Sequence, residues 1–151
     1  MDTILEIYTD GACRGNPGPG GYAALLCHGI DHIQEITGYD PATTNNRMEL
    51  MGAIVALEHA PQGRALRLYT DSTYVKDGIT RWILKWRLNQ WRNAQKEPVK
   101  NQDLWQRLDA LVQGRAIEWC WVRAHQGNPM NERADTLARQ AVVTCMMTTT
   151  S

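Results

Sequence analysis

Four carboxylates stand where chemistry is possible: Asp10, Glu49, Asp71 and Asp135. Two of them close the same triplet. Tyr8-Thr9-Asp10 ends the apolar run Ile4-Leu5-Glu6-Ile7, and Tyr69-Thr70-Asp71 ends Ala65-Leu66-Arg67-Leu68. Each reads as a strand that lifts a carboxylate at its C-terminal edge. Taken singly, all four have ordinary explanations. Asp10-Gly11 is a turn dipeptide. Glu49, three residues after Asn46, fits a variant capping box. Asp71 can cap a helix. Asp135, four residues before Arg139, suits an exposed ion pair. Taken together they suggest a metal site, because gathered carboxylates repel unless a cation lies between them. An all-oxygen donor set selects magnesium or manganese.

The elements that must hold these groups follow from the pattern. Residues 3–10 read as a strand. The stretch from Gly11 to Gly21, with Pro17, Pro19 and five glycines, reads as a loop. Tyr22 to Cys27 and Gln34 to Thr37 complete an antiparallel meander. Asp40 to Asn46 reads as a second loop. From Arg47 to Ala60 the period changes to that of a helix, with Leu50, Ile54 and Leu57 on one stripe and Glu49 in the first turn. Ala65 to Thr70 is a strand, followed by a short helix capped by Asp71 or Ser72. Ile79, Trp82, Ile83 and Trp86 mark an amphipathic helix, and residues 89–100 an irregular stretch. A helix through Leu104, Trp105 and Leu108 stops at Gly114, and Ala116 to Val122 is the last strand. Asn128-Pro129 opens a helix to about Val142 that carries Asp135 in its second turn. Strands reached by helical crossovers run parallel to the first. The fold class is therefore α/β, a mixed five-stranded sheet of three antiparallel then two parallel strands, flanked by helices. One domain spans residues 1–143, with a frayed tail at 144–151.

Charge is balanced overall, with 16 basic and 16 acidic side chains, but unevenly spread. Arg81, Lys85, Arg87, Arg92, Lys96 and Lys100 face Glu97 alone within residues 81–100. That basic segment points to a polyanionic partner. Four cysteines without CxxC spacing suit a reducing compartment. No leader and no apolar run near ~20 residues is visible, so a soluble cytoplasmic protein is expected, with no membrane partner. Gly18-Pro19-Gly20-Gly21-Tyr22-Ala23 formally matches a dinucleotide-binding fingerprint. The run after it breaks at Gly29, too soon for the helix that motif requires.

The blocks YTDGACRGNPGPGG, TTNNRMELMGAI, YTDSTYVKDGI, PVKNQDLWQRLD and HQGNPMNERADTLA, in that order, resemble bacterial type 1 ribonuclease H from about Ile4 to Ala141. The resemblance implies a ribonuclease H-like fold and an endonuclease that cuts the RNA strand of RNA–DNA hybrids. It implies two magnesium ions, with manganese able to substitute, and 5′-phosphate and 3′-hydroxyl ends. Asp10 would touch both ions, Glu49 and Asp71 the leaving-group ion, and Asp135 the ion that activates water. His125 would assist proton transfer or product release from a mobile loop. Ala124 stands before it where the family usually has glycine. Cys13, Asn16, Asn45 and Asn46 match positions that contact the hybrid minor groove, where the 2′-hydroxyl is read. Cys13 is read as a contact, not a nucleophile. Thr44 and Asn45 precede a helix whose N–H groups could take a DNA phosphate. Thr73 replaces the family's common glutamine, which weakens or removes a base contact. Residues 81–100 resemble the family's basic protrusion, or handle. There Lys85, Arg87, Arg92, Lys96 and Lys100 are expected on phosphates, while Trp82 and Trp86 fit core packing better than base stacking. A monomer is usual in the family. A silent hybrid-binding module and a related polynucleotidyl transferase are the alternatives.

Overall fold

The computed structural model describes residues 4–123 and 127–148. Five strands form one sheet in the order β3-β2-β1-β4-β5. They are β1 (Leu5–Cys13), β2 (Gly18–Gly29), β3 (His32–Thr43), β4 (Leu66–Thr70) and β5 (Ile117–Trp121). The first three are antiparallel neighbours, and β4 and β5 run parallel to β1. The mixed sheet read from the sequence is the sheet observed.

Alternation along β1 sends Leu5 and Ile7 to one face and Tyr8 toward the other. On the first face they meet Leu50, Ile54 and Leu57 of α1 (Asn45–His59), with Leu104, Trp105 and Leu108 of α4 (Gln102–Val112) behind. On the second face Tyr8, Ala23 and Leu25 meet Ala134, Leu137 and Ala138 of α5 (Pro129–Thr148). After β4 come α2 (Thr73–Asp77), a π-helical turn at Gly78–Trp82 and α3 (Ile83–Leu88). Among the described residues no helix is long and apolar enough to cross a membrane. The four cysteines are free thiols.

Several boundaries depart from the sequence reading. β1 runs on to Cys13 and β2 begins at Gly18, with Gly11 opposite Tyr22, Ala12 opposite Gly21 and Cys13 opposite Gly20. The glycines that suggested a loop are sites of close packing. A Cβ on Gly21 would lie 2.6 Å from the Ala138 carbonyl of α5. β3 continues through Asp40-Pro41-Ala42 to Thr43; as the sheet's outer strand it tolerates Pro41, whose missing N–H costs no ladder bond. α1 is capped by Thr44, whose Oγ1 accepts from Arg47 N at 3.3 Å, so Asn46 is no capping-box partner and Glu49 falls in the second turn. Ser72, not Asp71, caps α2 through Val75 N at 3.1 Å. Asn128 caps α5 as expected, accepting from Met130 N and Asn131 N at 3.0 Å each. That helix continues to Thr148 instead of fraying from 144, and Cys145 within the extension is fully buried.

Candidate active site

The repeated triplet builds the floor of the site. Tyr8 pairs with Tyr69 across the parallel β1–β4 ladder, so Asp10 and Asp71 follow two residues later on neighbouring strands. Asp71 lies just past the end of β4 and Asp10 still within β1, which runs beyond the strand end read from the sequence. The two tyrosine rings stack beneath them, 4.4 Å apart and 7° from parallel. Glu49 arrives from α1, which lies directly on β1. A Cβ on Gly11 would sit 2.4 Å from Glu49 N, so only glycine permits that approach. Asp10, Glu49 and Asp71 thereby bring ligand oxygens within 4.8 Å of one another. The sequence reading took Gly11 for a turn residue and missed this contact.

Burial makes the cluster electrostatically costly. Asp10 is 3% exposed and Glu49 6%. Burial first, then the charges of Asp71 and Asp135, push Asp10 up to about 8 against the hydrogen bond from Gly11 N. That N–H donates to Asp10 Oδ1 at 2.8 Å. Burial, then the charges of Asp10 and Asp71, raise Glu49 well above the carboxylate range. Burial also raises Asp71, aided by the charge of Asp135 and opposed by hydrogen bonding to Asp10. Glu49 Oε1 is buried with no hydrogen-bond partner among the described residues. An orphaned buried acceptor beside two more carboxylates fits a hard divalent cation, which satisfies lone pairs and charge together.

Asp135 stands apart from the trio. Its Oδ2 accepts from Arg139 Nη2 at 2.9 Å, the i,i+4 pair expected from the spacing, although its charge is felt at Asp10 and Asp71. Asp71 has a support the sequence did not suggest. Trp121 Nε1 donates to its backbone carbonyl at 3.2 Å, and Lys76 Nζ lies 5.5 Å from the centroid of the same indole. His125 and Ala124 lie outside the described residues.

The substrate-reading candidates fall into two groups. Cys13 Sγ donates to the carbonyls of Gly15 at 2.9 Å and Thr43 at 3.4 Å, and burial pushes its thiol up, away from thiolate reactivity. Asn16 Oδ1 accepts from Asn45 N at 3.1 Å, which ties the β1–β2 loop to the start of α1. Two first-turn donors of that helix, on Asn45 and Arg47, thus already have partners. Asn45, Asn46 and Thr73 are exposed. The second group is the handle, at 81–100. Trp82 and Trp86 are half-buried, their ring centroids 5.9 Å apart, and Trp86 lies 5.2 Å from Trp105. Lys85, Arg87, Arg92, Lys96 and Lys100 are exposed. Arg87 pairs with Asp109, and Arg92 Nη1 donates to the Lys96 carbonyl at 2.9 Å.

The sequence profile of the RNase H family matches residues 2–143. The chain belongs to the RNase H family. It is 54% identical over 141 residues to the ribonuclease H of Parvibaculum lavamentivorans, covering 93% of each chain. It is 59% identical to that of Alcanivorax borkumensis, covering 90% of this chain and 89% of the relative. Among solved structures, LC9-RNase H1, described as a type 1 RNase H with the type 2 active-site motif, superposes with a TM-score of 0.83 at 35% identity. That match covers 95% of this chain and 74% of the other. Membership in the RNase H family agrees with a sheet whose antiparallel trio and parallel pair converge on a carboxylate edge.

Proposed function

We propose that this RNase H hydrolyses the RNA strand of RNA–DNA hybrids as an endonuclease with two divalent cations, leaving 5′-phosphate and 3′-hydroxyl ends. Magnesium is the expected ion, with manganese able to replace it. The observation that carries the reading is the trio of Asp10, Glu49 and Asp71, the first two buried and the third half-buried, with ligand oxygens within 4.8 Å of one another and Glu49 Oε1 unpartnered. When bound, such cations lower the pKa of an attacking water and stabilise the departing oxygen.

Asp10 would hold both cations, Glu49 and Asp71 the one on the leaving-group side, and Asp135 the one on the water side. Glu49 would also lie near the RNA 2′-hydroxyl. His125 is assigned proton transfer or help in product release. The Cys13 and Asn16 loop, fastened to α1 through Asn45 N, offers short polar groups to the minor groove beside the carboxylates. Asn46 and Thr44 extend that surface. The handle's cations would take backbone phosphates, which supply affinity without sequence choice. Thr73 is too short to reach as far as the glutamine usual in the family.

The test is cleavage of labelled RNA–DNA, RNA–RNA and DNA–DNA duplexes in magnesium and then in EDTA. Magnesium-dependent cutting of the RNA strand of the hybrid alone is expected. Binding without cutting would make the chain a silent hybrid-binding module. Cutting of DNA duplexes would make it a different polynucleotidyl transferase.

A further inference from the structure

Three of the four carboxylates form the cluster, and the fourth is tied elsewhere. Asp10, Glu49 and Asp71 share the 4.8 Å neighbourhood. Asp135 reaches instead for Arg139, one turn further along α5. Asp135 therefore stands between two environments. One is a cluster of like charge that repels it, and the other is a guanidinium that attracts it.

The pair is built to open. The Arg139 side chain is 65% exposed and that of Asp135 26%. Water solvates both partners, so an exposed pair of this kind is weak. Arg139 also borders an open cavity of about 440 Å³ with Ala12, Cys13, Arg14, Val142 and Val143. The guanidinium can swing there without entering the packed interior. Its departure frees Asp135 Oδ2.

We propose that Arg139 is a positioning residue that competes with a divalent cation for Asp135 and so sets how readily the second cation joins the first. This rests on the two-cation reading above. Arg139 occupies the oxygen that a cation would take, so its removal tightens the second cation. Because the ion pair is exposed, the change is modest, about threefold to fivefold.

The experiment is a manganese titration of the full chain, followed by electron paramagnetic resonance of the free ion. It is run with a hybrid made uncleavable by 2′-O-methyl RNA. Wild type is expected to bind a tighter and a weaker ion, and Asp135→Asn to lose the weaker one. Arg139→Gln should bind the weaker ion about threefold to fivefold more tightly. Arg139→Lys, which keeps the charge, should return toward wild type. Unchanged or weakened binding in Arg139→Gln, or tightening in Arg139→Lys as large as in Arg139→Gln, overturns the competition. A wild type that binds only one ion, or whose weaker ion survives Asp135→Asn, overturns the two-cation reading itself.

Discussion

Where α1 crosses β1, backbone lies on backbone: Gly11 leaves no room for a side chain, and Glu49 is buried beside Asp10. In the handle the arrangement is reversed. Trp82, Trp86 and Trp91 form a chain of ring contacts about 6 Å apart, and the lysines and arginines around it are exposed, Arg87 paired with Asp109 and Arg92 bonded to the Lys96 carbonyl. The carboxylate edge gains precision from close approach and carries an electrostatic cost. The handle gains reach from long side chains and carries almost none. Chemistry on a phosphodiester needs ligands fixed to a fraction of an ångström, whereas phosphate contacts tolerate slack.

The sharpest break in that contrast is Asp10→Asn. Magnesium-dependent cleavage should fall by several orders of magnitude in a strand-cleavage assay, with the fold retained. Stability should move the opposite way. In the folded protein Asp10 titrates near 8 instead of its usual 3.8, so the native state holds a proton that the unfolded chain releases. Metal-free wild type should therefore lose stability as pH rises from about 4 to about 8. Asn removes the share of that loss owed to Asp10 and relieves Glu49 of one like charge, so melting in EDTA at pH 8 should show the variant above wild type. Magnesium should raise the wild-type midpoint more than the variant's.

Gly11→Ala tests the close approach without touching a carboxylate. Its Cβ would fall 2.4 Å from Glu49 N, so α1 must lift. Denaturant unfolding should show a loss of about 1–3 kcal/mol. Calorimetry should show weakened cation binding, because Glu49 moves with the helix. An equal change in the handle should leave cation binding alone. Replacing Lys85 and Lys96 together by Ala should weaken hybrid binding uniformly across sequences and reduce the salt slope by about 1 per lysine. Cation affinity unmoved in that variant, measured without hybrid, would sharpen the division of labour.

Thr44→Ala should have the smallest effect. It removes the cap on Arg47 N, worth about 1 kcal/mol in thermal or chemical melts. It should raise KM for hybrids only slightly, because Asn45 N stays bound to Asn16. A large KM effect would mean that the helix start grips a phosphate more firmly than its remaining free donors suggest.

Much of this was legible in the chain because the informative features are local. The Tyr-Thr-Asp echo announced two strands in matched register, although β1 runs on past Asp10 to Cys13, and Asn128-Pro129 announced the start of α5. Position 10 was readable from its neighbours. What stayed hidden depends on tertiary contact. Gly18, Gly20 and Gly21 look like loop by propensity, yet they are strand residues kept small by what lies over them, α5 at Gly21 and Thr43 and Met48 at Gly20. Pro41 looked like an interruption because nothing local says that β3 is the outer strand. Asn46 mimicked a cap in a stretch where Thr44, Asn45 and Asn46 are all cap formers, and only the fold chose Thr44. The tie between Trp121 and the Asp71 carbonyl joins residues 50 apart in sequence and left no trace in either segment.

The widened turn at Gly78–Trp82 has a consequence for how such a chain can diverge. Gly78 is pressed against the six-membered ring of Trp105, and the backbone takes up one extra residue there before α3 continues. A gain or loss of a single residue at this joint would rotate the handle's cationic face by roughly 100° about the helix axis. The carboxylate edge, anchored through β1, β4 and α1, would not move. The handle's cationic surface and the carboxylate edge are therefore heritable as separate traits, adjustable by indel at one place and by substitution at another.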